Sequence, residues 1–207
     1  MNFMEWLSLA SVCLAGAASP GPSLAVVVSA SLSGGKLGGL VAAWAHALGV
    51  GLYAGLTVLG ISALVTADQR IFITIQTLGA LYLLWLARSL WFSVPADEAN
   101  AQPSPAKTRS TARDGFAIAF LNPKLAVFML ALFSQFVHPD ASTSTKVFMA
   151  ITALLVDGLW YTLITMVFTR EKWIAALREN AGGIDRIFGL LLAIVALVIL
   201  VRLFRGI

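Results

Sequence analysis

The sequence predicts an all-α integral membrane protein: six transmembrane helices forming two inverted three-helix repeats with proline-broken first helices. Three observations carry this prediction. Of the 207 residues, 59% are hydrophobic and 12% charged, where a soluble domain has roughly 45–50% and roughly 25%. The apolar residues gather in six runs, each able to supply the roughly 20 residues that cross a hydrocarbon core about 30 Å thick. Two of those runs, at corresponding places in the two halves of the chain, are interrupted by proline.

The same numbers exclude whole classes. A mean hydropathy of +0.88 leaves a water-soluble enzyme nowhere to put its apolar surface. Disorder needs low hydrophobicity and high charge. Cys13 is the only cysteine, so no intramolecular disulfide, iron–sulfur cluster or Cys-rich zinc site can form. The net charge of +4 does not point to nucleic acid, because the basic residues lie between apolar runs and form no patch. Open β-structure cannot face lipid, and a small barrel would alternate polar and apolar residues. The runs are apolar all round, which makes them helices.

The first run, Phe3–Ser33, is interrupted by Ser19-Pro20-Gly21-Pro22 and reads as one broken span. Its start loosely resembles a signal peptide, with Ala15-Gly16-Ala17 after an apolar stretch. The preceding segment has no Lys or Arg and carries Glu5, so a retained helix is expected. The second run, Leu37–Thr66, holds His46 and Tyr53 on one face. It also holds Ala43, Ala47, Gly51 and Gly55 at four-residue spacing. Such a stripe allows close helix approach, within the subunit or across a homodimer. The third run, Ile71–Val94, carries Arg88 near its end, placed to snorkel to the interface. Pro95–Ala112 has the Pro, Ser and charge content of a disordered linker. The fourth run, Phe116–Val137, is interrupted by Asn122-Pro123-Lys124; Val147–Phe168 and Ile187–Leu203 complete the set. The chain is thus one transmembrane domain over residues 1–207: repeat one about 1–94, a cytoplasmic linker about 95–112, and repeat two about 113–207. Most tryptophans fall near span ends, as interfacial anchors do.

Lys and Arg in the connections set the orientation. With the N-terminus outside, the inner segments hold Lys36, Arg88, Lys107, Arg109, Arg113, Arg170, Lys172, Arg178 and Arg186. The outer segments hold Arg70, Lys146, Arg202 and Arg205. This favours both termini outside. Three spans per half is an odd number, so the second half enters from the opposite side. Inverted repeats of this kind build their substrate site from discontinuous helices near the midplane.

The breaks have a definite chemistry. Proline lacks the N–H that would bond the carbonyl four residues back. Pro20, Pro22 and Pro123 are therefore expected to free the carbonyls of Gly16, Ala18 and Ala119, acceptors for an ammonium group. A helix restarting near Pro22 presents the N–H groups of Ser23, Leu24 and Ala25 and its positive dipole end, which suit a carboxylate. Gly21 relaxes the backbone between them. Together they match a small zwitterion such as an amino acid.

A charge at the bilayer centre costs at least about 2.5–3.5 kcal/mol, so ionisable residues inside spans are functional candidates. Lys124 either binds a substrate carboxylate or holds the broken helix, or it caps free carbonyls there without touching substrate. Asp157, with Tyr161 and Thr165 at i+4 and i+8, forms one polar stripe. A desolvated carboxyl group suits a proton carrier near neutral pH; the alternative is a structural hydrogen bond or an ion pair, with Lys124 the candidate partner. His46 is either a proton relay or a hydrogen-bond partner between helices. Tyr53 and Tyr161 are supporting polar residues.

Ser19-Pro20-Gly21-Pro22, Ser33-Gly34-Gly35-Lys36-Leu37-Gly38-Gly39-Leu40 and the Gly-rich second helix resemble the lysine-exporter (LysE/RhtB) family. So do Phe120-Leu121-Asn122-Pro123-Lys124, Phe133-Ser134-Gln135-Phe136-Val137 and Asp185-Arg186-Ile187-Phe188-Gly189. The resemblance covers nearly the whole chain. It implies export of amino acids or their derivatives across the bacterial inner membrane, driven by the proton-motive force without a cofactor. It carries over Pro20, Gly21, Pro22, Asn122, Pro123 and Lys124 as site residues. Two positions depart from the family: Ser23 stands where Asn or Asp is common, and Ser134 where Pro is common. Both bear on substrate identity.

The leading reading is thus secondary export of a zwitterion by alternating access, with Ser19, Pro20, Gly21, Pro22, Ser23, Asn122, Pro123 and Lys124 at the substrate and a proton on Asp157 or His46. The alternative cargo is another small solute or a metal cation, which needs clustered carboxylates or soft ligands at membrane depth. Asp157 is the only acid deep in a span. A membrane enzyme is disfavoured by the lack of a Cys pair or a G-x-S-x-G elbow. A mere scaffold predicts that the prolines can become alanine without loss. No ATP-binding loop is present in the sequence.

Overall fold

The computed structural model describes residues 1–19, 21–67, 69–92, 111–138, 141–167 and 180–205. Among these, all regular structure is helical: α1 (Phe3–Ala18), α2 (Pro22–Ala67), α3 (Gln69–Phe92), α4 (Thr111–Phe120), α5 (Pro123–Phe133), α6 (Thr143–Val167) and α7 (Ala181–Arg205). Residues 95–110 of the expected linker lie outside the described residues, and Thr111 and Ala112 open α4 instead.

Local chemistry sets the helix ends. Asn2 caps α1: its Oδ1 accepts from the Glu5 N–H at 2.8 Å, and its own N–H donates to Glu5 Oε2 at 2.9 Å. This capping box satisfies two donors that the first turn would otherwise leave open. At the other end Ser19 is extended (φ −60, ψ 127), the conformation forced on a residue that precedes proline. α2 restarts with Pro22 in its first position, where the missing N–H costs nothing. α5 restarts the same way at Pro123, with Asn122 as its cap: Asn122 Oδ1 accepts from the Leu125 N–H at 3.3 Å.

α2 is two helices. Gly35 adopts φ 64, ψ −163, a region open essentially to glycine alone. In a straight helix residues 30 and 38 would be about 12 Å apart. Instead a Cβ on Gly38 would lie 2.6 Å from the Ala30 carbonyl oxygen. The chain therefore doubles back at Gly35, and residues 22–34 pack as a hairpin against the helix that follows. Val27, Ala30, Ala42 and Ala43 join the hairpin to Tyr161 and Ile164 of α6.

The larger core draws on all seven helices, with Leu9, Val50, Leu83, Leu132, Met149 and Leu192 among its buried residues. The polar residues are inside: His46, Thr152, Asp157, Thr165, Ser31 and Ser134 are all buried. The outside is apolar. Leu48, Leu52, Leu56 and Leu59 of α2, and Leu155, Leu159 and Leu163 of α6, are exposed in stripes at helical spacing. Water would not tolerate such continuous patches; lipid does. Pro22–Ala63 (divided at Gly35), Ile73–Phe92 and Thr143–Val167 are long and apolar enough to cross a membrane. Thr111–Phe120 and Leu125–Phe133 form a further, broken stretch, bent by 55°. The protein is a multi-pass membrane protein.

The small-residue stripe of the second run faces inward at Ala43, Ala47 and Gly51. Ala43 and Ala47 are fully buried, and a Cβ on Gly51 would meet Leu154 of α6 at 2.6 Å. α6 reciprocates with Gly158, whose Cβ would meet Trp44 at 2.9 Å and Ala47 at 3.2 Å. Small residues on both helices let α2 and α6 approach closely within one subunit, and that contact places the site.

Candidate functional site

The close approach of α2 and α6 brings together two residues 111 apart in sequence. His46 Nδ1 and Asp157 Oδ2 are 2.7 Å apart, with side chains 3% and 8% exposed. His46 is therefore the partner of Asp157 among the described residues; the side chain of Lys124, the candidate from sequence, lies outside them. One turn beyond Asp157, the Tyr161 ring stands edge-on to His46, with centroids 5.1 Å apart. The Tyr161 hydroxyl donates to the Ala17 carbonyl at 3.0 Å. In an unbroken helix that carbonyl would bond the N–H of residue 21. The break after Ala18 leaves an acceptor over, and α6 supplies the donor. Asp157, Tyr161 and Thr165 thus share a stripe as the spacing predicts, but Thr165 faces the Gly35 hairpin, 3.5 Å from the Ser31 hydroxyl.

The second break differs from expectation. Ala119 does not keep a free carbonyl, because the Asn122 N–H donates to it at 3.4 Å. The last turn of α4 tightens from i→i+4 to i→i+3 spacing, a common way for a helix end to use its leftover acceptors. Asn122 then performs a second task as the α5 cap, and its carbonyl accepts from the Ala126 N–H at 3.0 Å.

Both breaks and the buried pair line a single cavity, with about 790 Å³ of empty space counted out through its open side. Ser19, Gly21, Pro22 and Ser23 come from the first break, Asn122 from the second, and His46, Asp157 and Tyr161 from α2 and α6. Two buried polar atoms of these residues, Ser19 Oγ and His46 Nε2, have no hydrogen-bond partner among the described residues. Pro20 lies outside the described residues, as do the side chains of Pro123 and Lys124. Tyr53 is brought elsewhere: its ring packs on Phe120, with centroids 5.7 Å apart, away from the cavity lining.

The translocator model named LysE type matches residues 14–203. The chain belongs to the LysE type translocator family. Over 195 residues it is 25% identical to the threonine efflux protein of Escherichia coli strain K12, covering 92% of this chain and 94% of that one. It is 28% identical over 137 residues to the leucine efflux protein of Enterobacter sp. strain 638 (66% and 65% covered). It is 24% identical over 201 residues to the homoserine/homoserine lactone efflux protein of Salmonella typhimurium (93% and 98%). No solved structure matches the chain.

In this LysE type translocator, sequence reasoning missed part of the lining. Cys13, Phe128, Leu86, Leu90 and Leu192 also face the cavity. They carry no signal, since an apolar residue in an apolar helix looks the same whether it meets lipid, core or cavity. It also missed a latch between α3 and the end of α5. Gln76 Nε2 donates to the Ser134 carbonyl at 2.7 Å, and Gln135 Nε2 donates to the Gln76 carbonyl at 3.2 Å. Glutamines on two neighbouring apolar elements are a readable hint of such a bond.

Proposed function

We propose that the chain exports amino acids or small amino-acid derivatives across the bacterial inner membrane, as a proton-coupled antiporter working by alternating access. The observation that carries this reading is the cavity lined by both helix breaks and by the His46–Asp157 pair. The efflux proteins it resembles carry threonine, leucine and homoserine in their names, and all three are small zwitterions.

In this reading six spans form two inverted three-helix repeats. Repeat one is α1 with residues 22–34, then the rest of α2, then α3; repeat two is the bent α4–α5 pair, α6 and α7. Both termini lie on the outer side. Two helices begin at the cavity, at Pro22 and Pro123, and the positive ends of their dipoles suit the substrate carboxylate. Ser19 Oγ and His46 Nε2 are buried, without a partner among the described residues, and available to polar groups of the substrate. A proton arriving from outside joins the His46–Asp157 pair; its departure inward accompanies outgoing substrate. Tyr161 ties the pair to the first break through the Ala17 carbonyl, so a change at the pair reaches the discontinuous helix directly.

The test uses inside-out proteoliposomes with an imposed pH gradient and radiolabelled amino acids. Gradient-driven uptake by the wild type, lost in Asp157→Asn, is the expected result. Uptake that survives in Asp157→Asn moves the proton carrier elsewhere. A wild type that moves no amino acid overturns the reading.

A further inference from the structure

The elements around the cavity contribute two kinds of side chain. Hydroxyl, imidazole, carboxyl and amide groups come from the two breaks, α2 and α6. Among the described lining residues, α3, α5 and α7 supply only hydrocarbon and thioether: Leu86, Leu90, Leu125, Phe128, Met129 and Leu192. α3 and α7 are held close by Gly189, whose Cβ would sit 2.8 Å from the Ala87 carbonyl oxygen and 3.5 Å from Leu90 Cβ. Leu90 and Leu192 are thereby presented from adjoining helices. Phe128 closes against α1, where a Cβ on Gly16 would lie 2.9 Å from ring atoms Cε1 and Cζ.

Taking the export reading as its basis, we infer that this cavity selects amino acids with an uncharged aliphatic or thioether side chain, such as leucine or methionine, and rejects those with a second ammonium group. The polar groups at the breaks suffice for one carboxylate and one ammonium. A second ammonium, as in lysine or arginine, would find Asp157 as the only acidic side chain among the described lining residues, and that carboxyl is already bonded to His46 at 2.7 Å. The remaining wall would desolvate the extra charge and return no hydrogen bond. An aliphatic chain gains from the same wall, since each methylene in a fitted apolar pocket is worth about tenfold or more in discrimination. Gly16 sets how deep the pocket is, because any side chain there drives the Phe128 ring toward the cavity.

The experiment is competition and direct uptake in proteoliposomes of the full chain, with leucine, methionine, alanine, lysine and arginine. Leucine and methionine should enter at least about tenfold faster than lysine or arginine. The ratio of leucine to alanine uptake should fall in Gly16→Ala and recover in Gly16→Ala/Phe128→Leu. If Gly16→Ala fails to fold, Phe128→Leu alone reads the same wall, and larger side chains such as phenylalanine should gain relative to leucine. Lysine or arginine moving as fast as leucine overturns the inference and leaves amino-acid export standing. No transport of any amino acid overturns the export reading itself, and this inference with it.

Discussion

Breaking the His46–Asp157 pair from either side should be far more damaging than removing it whole. His46→Leu leaves the Asp157 carboxyl, in a residue 6% exposed, without its 2.7 Å partner. Removing one member of a buried pair costs about 3–5 kcal/mol. Asp157→Leu leaves His46 with neither ring nitrogen bonded among the described residues, since Nε2 has no partner there, and an unsatisfied buried polar group costs about 1–3 kcal/mol. In the double variant two side chains of similar bulk meet across α2 and α6, and buried pairs replaced by apolar residues are neutral or better. The two singles summed should therefore exceed the double by at least about 4 kcal/mol. The assay is helicity against denaturant in detergent micelles for all four proteins, with gradient-driven uptake alongside. The double variant should fold and not transport. Additivity within about 0.5 kcal/mol would refute the reasoning, because uncoupled residues add.

Four further outcomes follow from local packing and hydrogen bonding. Gly115→Ala should destabilise by about 1–3 kcal/mol, because its Cβ would sit 2.5 Å from the immovable Ala42 carbonyl oxygen. Gly55→Ala, with nothing within 4 Å, should stabilise by about 0.5–1 kcal/mol through helix propensity; paired unfolding midpoints check both. Asn122→Ala should cost about 1 kcal/mol by uncapping α5, and Asn122→Ser should restore most of it. Tyr161→Phe should cost about 1–2 kcal/mol by leaving the Ala17 carbonyl without its donor. The same variant should slow uptake without abolishing it, read as an initial rate.

The sequence by itself determined what is local or additive. Hydropathy summed over runs of apolar residues is enough to make this a helical membrane protein, since lipid leaves the backbone no other partners. Pro20, Pro22 and Pro123 marked the breaks because proline's missing N–H acts at its own position. Asp157 and His46 stood out singly because charge is costly in an apolar run, and Gly35 sits where the chain reverses. What the sequence held open were contacts across the fold. Whether Asp157 meets His46 or Lys124, whether the Ala43–Gly55 stripe faces α6 or another subunit, and where Tyr53 lies all depend on how helices rotate against one another. In an apolar solvent, hydrophobicity does not distinguish the inner face of a helix from its outer one. The Ala119 carbonyl went the same way: its partner is an N–H three residues on, available only once the turn has tightened. Tertiary structure alone decided that the two breaks and the buried pair line one cavity. Small residues at Gly51 and Gly158 let α2 and α6 close to contact distance, and that approach determines which side chains face one another.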